Sequence, residues 1–165
     1  MRIYLPSTMP MLRTAIGRQR VEPLGGIVFA VTDPLRAEYA GADEEELEYL
    51  AMADAARASL RLLAAGDETG PWLRVVVAAD VDGVRAIPDS DRAAALLDRP
   101  VSWKRVAAVH LDSADAADAV RAAALVVDAA DLGDAEAEFT VGTAEDIDLG
   151  WYAPSEIAYL VDSLD

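Results

Sequence analysis

The chain is predicted to fold as a single α/β (or α+β) domain: a mixed β-sheet of about five or six strands with helices packed on it. Three observations predict this. The 165 residues suffice for one domain, and a chain of that size buries roughly 70% of its unfolded surface without disulfides or metals. Short runs of strand character alternate with segments of helical spacing, in the order β α β α β β β α β α. No repeat, linker or low-complexity stretch divides the sequence, so residues 1–165 are read as one domain.

Each element has its own signal. Residues 2–6 (RIYLP) alternate as a first strand, with Ile3 and Leu5 on one face and Arg2 and Tyr4 on the other. Ser7 or Thr8 caps a short helix to about Arg18, on which Met9, Leu12 and Ile16 fall at helical spacing. Residues 26–32 (GIVFAVT) are apolar on both faces and read as a central strand. Asp33-Pro34 opens a short helix, with Asp as cap and Pro at the first turn, that stops near Gly41.

Asp43 caps the longest helix, 44–65. Glu44, Glu45 and Glu46 meet the positive end of its dipole. Apolar residues cover most of its circumference and leave a narrow polar stripe of Glu46, Asp54, Arg57 and Arg61. Gly66 ends it, and GDETG reads as a loop. Residues 72–81 and 84–87 flank Asp82-Gly83, the signature of a β-hairpin. Residues 91–97 read as a short helix. Residues 104–111 form a strand, Asp112-Ser113 cap, and an alanine-rich helix runs to about Val127. Residues 128–148 are acidic and weakly periodic, and read as loop or a short irregular helix. Residues 149–152 close the sheet, with Trp151 facing the core and Tyr152 the other side. Pro154-Ser155 start a last helix with Ile157, Leu160, Val161 and Leu164 on one face.

Composition removes several classes of function. With no cysteine, thiolate zinc sites, iron–sulfur clusters, disulfides and cysteine nucleophiles are excluded. No apolar run approaches the roughly 20 residues that span a bilayer. Nor does one of signal-peptide length follow Arg2, and the expected location is cytoplasmic. Fourteen basic residues against thirty acidic ones give a net charge of −16, with a single lysine, Lys104. Nucleic-acid and anionic membrane partners are therefore not expected. The charge is uneven. Residues 1–20 hold Arg2, Arg13, Arg18 and Arg20 and no acid; residues 112–148 hold eleven acids and one base, a net of −10. The second segment is a solvated face or an electronegative docking surface.

Motifs for chemistry are sparse. The P-loop, the dinucleotide fingerprint and the nucleophile elbow are all missing from the sequence. The sole histidine, His110, sits near the end of its strand. Alternation groups it with Val106 and Ala108, and Asp112 nearby suits a general-base pair. Ser7-Thr8 at a helix start reads foremost as a cap, with anion binding as the functional alternative. Tyr4, Ser7, His110, Tyr152 and Glu156, with Arg57 or Arg61, are the candidate lining of a small-molecule pocket. The acids of 112–148 are the candidates for divalent-cation binding, although no EF-hand spacing occurs and no metal site or cofactor is expected.

Three blocks, MRIYLPSTMPML, FAVTDPLRAEYAGADEEELEYLAMADAARASLRLL and WYAPSEIAYLV, resemble a family of small acidic actinobacterial proteins of unknown function. The resemblance implies no catalytic residue, cofactor or partner. It fits the 34 alanines and the thirteen arginines among fourteen basic residues as the codon bias of a GC-rich genome. The sequence thus favours a non-enzymatic domain acting through protein contacts or as a homo-oligomer. Its rivals are the pocket reading and, behind it, the cation reading.

Overall fold

A computed structural model describes residues 1–66, 70–88 and 92–163. Its strands are β1 (Arg2–Ser7), β2 (Arg20–Val21), β3 (Ile27–Ala30), β4 (Val75–Asp80), β5 (Arg85–Ala86), β6 (Ala94–Leu96), β7 (Val101–Ser102), β8 (Val106–Leu111) and β9 (Gly150–Tyr152). Its helices are α1 (Met9–Arg18), α2 (Asp33–Glu38), α3 (Glu44–Ala65), α4 (Ala117–Asp131), α5 (Ala135–Glu145) and α6 (Pro154–Ser163). Seven strands form one sheet in the order β5-β6-β3-β1-β4-β8-β9, and β2 pairs with β7 beside it. No helix is long and apolar enough to cross a membrane among the described residues.

The α/β class is as predicted, but the main sheet is larger and every pairing in it is antiparallel. The added strand is residues 94–96, and the direction of β9 is set by residues 128–148, which read from sequence as irregular. They complete α4 and form α5, joined at Gly133, whose φ of +96° suits glycine. Two antiparallel helices return the chain to the end of the sheet it left, so β9 runs back along β8. One crossover helix would have made it parallel.

Strand alternation sorts the core into two faces. Ile3, Leu5, Val75, Val77, Val109 and Leu111 point toward α1 and α6, where Leu12, Ile157 and Val161 meet them. Tyr4, Val76, Ala78 and Ala108 point the other way, against Leu35 of α2 and Leu47, Ala51, Ala55 and Ala56 of α3. Beyond that layer, Leu60 and Leu63 of α3 join Val120, Ala123 and Val127 of α4 and Val141 and Ala144 of α5 in a third cluster. The 22-residue helix α3 is therefore covered by the sheet on one side and by the α4–α5 hairpin on another. This accounts for its nearly continuous apolar surface.

Local capping follows the sequence in part. Thr8 Oγ1 accepts from Met11 N, and Asp43 Oδ1 accepts from Glu46 N at 2.8 Å. Before α2 the cap is Thr32, whose hydroxyl accepts from Leu35 N, while Asp33 and Pro34 lie inside the first turn. Two other expectations are corrected. The Asp82-Gly83 hairpin does not form: β4 uses both its edges for β1 and β8, so β5 pairs with β6 at the far side of the sheet. Residues 94–96 are a strand on β3, not a helix, because pairing outweighs the helix propensity of alanine. Residue 91 of that expected helix, residues 67–69 of the GDETG loop, and Leu164 lie outside the described residues.

Candidate functional site

The residues singled out as a pocket fall on both faces of the sheet. Register pairs Tyr4 with Ala78 and His110 with Val76, placing both side chains on the α3 face. Tyr152 pairs with Val109 and packs with the opposite cluster. Ser7 shares the α1 face with Leu5, and Glu156 is exposed on α6. Arg57 and Arg61 are on α3, across the sheet from Tyr152. The β9 alternation is also the reverse of the expectation: Trp151 is 61% exposed beside His110, and Tyr152 is the half-buried residue. Gly150 makes this possible, since a Cβ there would come within 3.2 Å of the Tyr152 ring folded over it. A bulge at Ala78/Ala79 sets Ala79 opposite Val106 and turns Val106 to the α1 face, away from Ala108 and His110.

Asp112 does not serve His110, nor does it cap a helix. It is sealed against Arg74, the two side chains being 0% and 3% exposed. Arg74 donates from Nε to Oδ2 at 2.9 Å and from Nη2 to Oδ1 at 2.8 Å, and its backbone N–H reaches Oδ2 at 2.8 Å. Nη2 also donates to the Ile147 carbonyl at 2.9 Å, tying the end of the α5 segment to the sheet. Its hydrogen bonds come from Arg74, and none joins it to His110 among the described residues, so the carboxylate does not orient the imidazole. Burial first, and the Arg2 charge second, lower the His110 pKa from its ordinary value. Burial likewise pushes the Tyr4 phenol up to about 12.

A highly charged cleft lies between α3 and the hairpin. Asp54, Arg57 and Arg61 share one stripe of α3, as predicted, and meet Arg92, Asp131, Glu138 and Glu145 around a volume of about 530 Å³. Arg57 donates to Glu138 at 3.0 Å and pairs with Asp131 at 3.1 Å; Arg61 Nε holds Asp131 at 2.7 Å; Arg92 holds Asp54 at 2.9 Å. Hydrogen bonds from the arginines hold Asp131 and Glu138 below the usual carboxylate range, whereas burial raises Glu145. The guanidiniums are thus neutralised from within the fold. Among the described residues no group of three or more His, Asp or Glu side chains is placed to hold a metal ion.

The outer face of the hairpin is different. Leu125, Leu132 and Phe139 are 65%, 90% and 79% exposed. Ala122, Leu125, Ala129 and Leu132 recur at the three-and-four spacing of a helix–helix seam and are all exposed. Of the eleven acids in 112–148, Asp112, Asp131, Glu138 and Glu145 are engaged by Arg74, Arg57 and Arg61. Asp118, Asp128, Asp134 and Glu136 remain on the hairpin surface without an arginine partner among the described residues. The one base of the segment, Arg121, lies over the Trp72 ring at 5.8 Å. Sequence reading locates the charge but not the exposed apolar groups: Leu132 and Phe139 lie beyond the expected helix end near Val127, and periodicity does not say which side of the helix Leu125 takes.

Compared with known families, residues 1–161 match the family of unknown function DUF6912, and the chain belongs to that family. No curated protein and no solved structure matches it.

Proposed function

We propose that this member of the family works by protein recognition rather than catalysis, with the outer face of the α4–α5 hairpin as its docking surface. The observation that carries this is the set of large apolar side chains left in solvent on an ordered, otherwise well-packed hairpin. Large exposed apolar groups rimmed by polar ones mark interaction surfaces. The seam spacing suits a partner helix laid along α4, and Asp118, Asp128 and Glu136 select one with basic flanks. The engagement of Asp112 by Arg74 leaves His110 without the acid partner that a general base would use.

Affinity capture from the native host tests the reading against its small-molecule rival. Wild type is compared with Leu125→Glu/Leu132→Glu/Phe139→Glu and with His110→Ala and Tyr152→Phe. The expected result is a stoichiometric partner with a basic docking face, kept by the last two variants and lost by the first. Retention by the triple variant, or loss in the His110 and Tyr152 variants, would overturn it.

A further inference from the structure

The hairpin reading leaves its partner unnamed, and the far side of the molecule carries an apolar surface of opposite charge. Between α1, β2 and Leu24 lies a groove of about 320 Å³. Its floor is apolar, with Ala15 and Val21 buried and Leu24 58% exposed at the rim. Arg18 ends α1 there, exposed and without an ion pair among the described residues; Arg20 follows, exposed and paired at 3.2 Å with Glu22 of the same rim. Gln19, at φ 57°, makes the tight turn that sets the two arginines on adjacent elements. The first twenty residues contain no acid, in a chain of net charge −16. An apolar floor with a basic rim thus faces one way, and an apolar ridge with an acidic rim faces the other.

Resting on the hairpin reading above, we infer that its partner is a second copy of this chain: the α4–α5 hairpin of one molecule, led by Leu132 at its tip, docks in the α1–β2 groove of the next. The two surfaces cannot meet within one molecule, because α1 covers one face of the sheet and the hairpin packs on α3 over the other. Each copy therefore uses its groove for one neighbour and its hairpin for another. Such a heterologous contact grows into a ring or an open chain rather than a two-fold dimer. The overall charge does not forbid this. At physiological ionic strength charges are screened beyond about 8 Å, so the sign of the groups in contact decides.

Sedimentation of two complementary variants tests the arrangement. Arg18→Glu/Arg20→Glu disables the groove and Leu125→Asp/Leu132→Asp disables the hairpin, all at exposed positions. Wild type is expected to grow past the dimer as its concentration approaches roughly 1 mM, the range in which weak contacts populate. Each variant alone stays monomeric. Their equimolar mixture, which has one intact groove and one intact hairpin, stops at a 1:1 dimer. A wild type that is monomeric throughout, a dimer that survives in both variants, or a mixture of folded variants that does not pair would overturn the inference. If the groove variant melts early, Arg18→Glu alone replaces it in the same scheme. A monomeric wild type whose hairpin variant still loses a host partner would refute self-association and leave the hairpin as a docking surface. A hairpin variant that keeps its host partner would refute both.

Discussion

Replacing Arg74 with Met tests the buried ion pair, the tie between β4, the end of β8 and the segment after α5. Asp112 accepts three hydrogen bonds from Arg74, and Met keeps only the one from the backbone N–H. The carboxylate, 0% exposed, is then left without a counter-charge. The Ile147 carbonyl also loses its donor. Removing one partner of a buried pair costs about 3–5 kcal/mol. In a domain of this size 1 kcal/mol moves the melting temperature by about 2–4 °C. Arg74→Met is therefore expected to lower it by roughly 6–20 °C, and Asp112→Leu, which leaves the Arg74 charge unpaired, by a similar amount. The double variant Arg74→Met/Asp112→Leu buries no charge and is expected to cost less than the two single changes together, by about 1–3 kcal/mol. Urea unfolding at pH 7 with calorimetry measures all four corners of the cycle. A cost below about 1 kcal/mol for Arg74→Met, or strict additivity, would show that the pair is not sealed from water as described.

Three further outcomes follow from the charges. The single imidazole gives one NMR titration, and burial places its midpoint below the usual histidine value. A protonation disfavoured in the folded state means that stability is lost as the pH falls below about 6.5; a midpoint above that value would be inconsistent with the half-buried setting of His110. Asp131 and Glu138 have depressed values, so their stabilisation is present above the usual carboxylate range and is lost as the pH falls through their folded values. Asp131→Asn is expected to cost about 1 kcal/mol at pH 7 and to flatten that acid limb; an unchanged limb in urea titrations would contradict the Arg57–Arg61 network. Tyr4, pushed up to about 12, should be a late tyrosine to ionise in ultraviolet titration, and Tyr4→Phe should remove that step. Loss of amplitude from the ordinary transition at about 10 in Tyr4→Phe, with a late step kept, would place the Tyr4 phenol in solvent.

Elements whose signal is local were legible from sequence. The start of α3 is fixed by Asp43 and three glutamates, and its end by Gly66. β1, α1, β8 and α6 lie within a residue or two of their predicted bounds, because period and caps coincide there. The polar stripe of α3 was also visible as a stripe. Its destination was not, since Asp131, Glu138 and Glu145 come from seventy and more residues away. The chain does bend at Asp82-Gly83, with Gly83 at φ +80°, yet a bend fixes only where the chain changes direction and not which strand receives it.

The amino-acid sequence by itself determined the α/β class, the segregation of charge between the first twenty residues and 112–148, and the exclusion of thiol chemistry. Each of these depends on residue identity and short-range period alone. Only the tertiary structure decided that Asp112 belongs to Arg74, that Tyr152 and His110 lie on opposite faces, and that Leu125, Leu132 and Phe139 stay outside. Burial is a property of the whole packing: an alanine-rich helix has apolar residues on two faces, and which one meets α3 is settled when the hairpin closes.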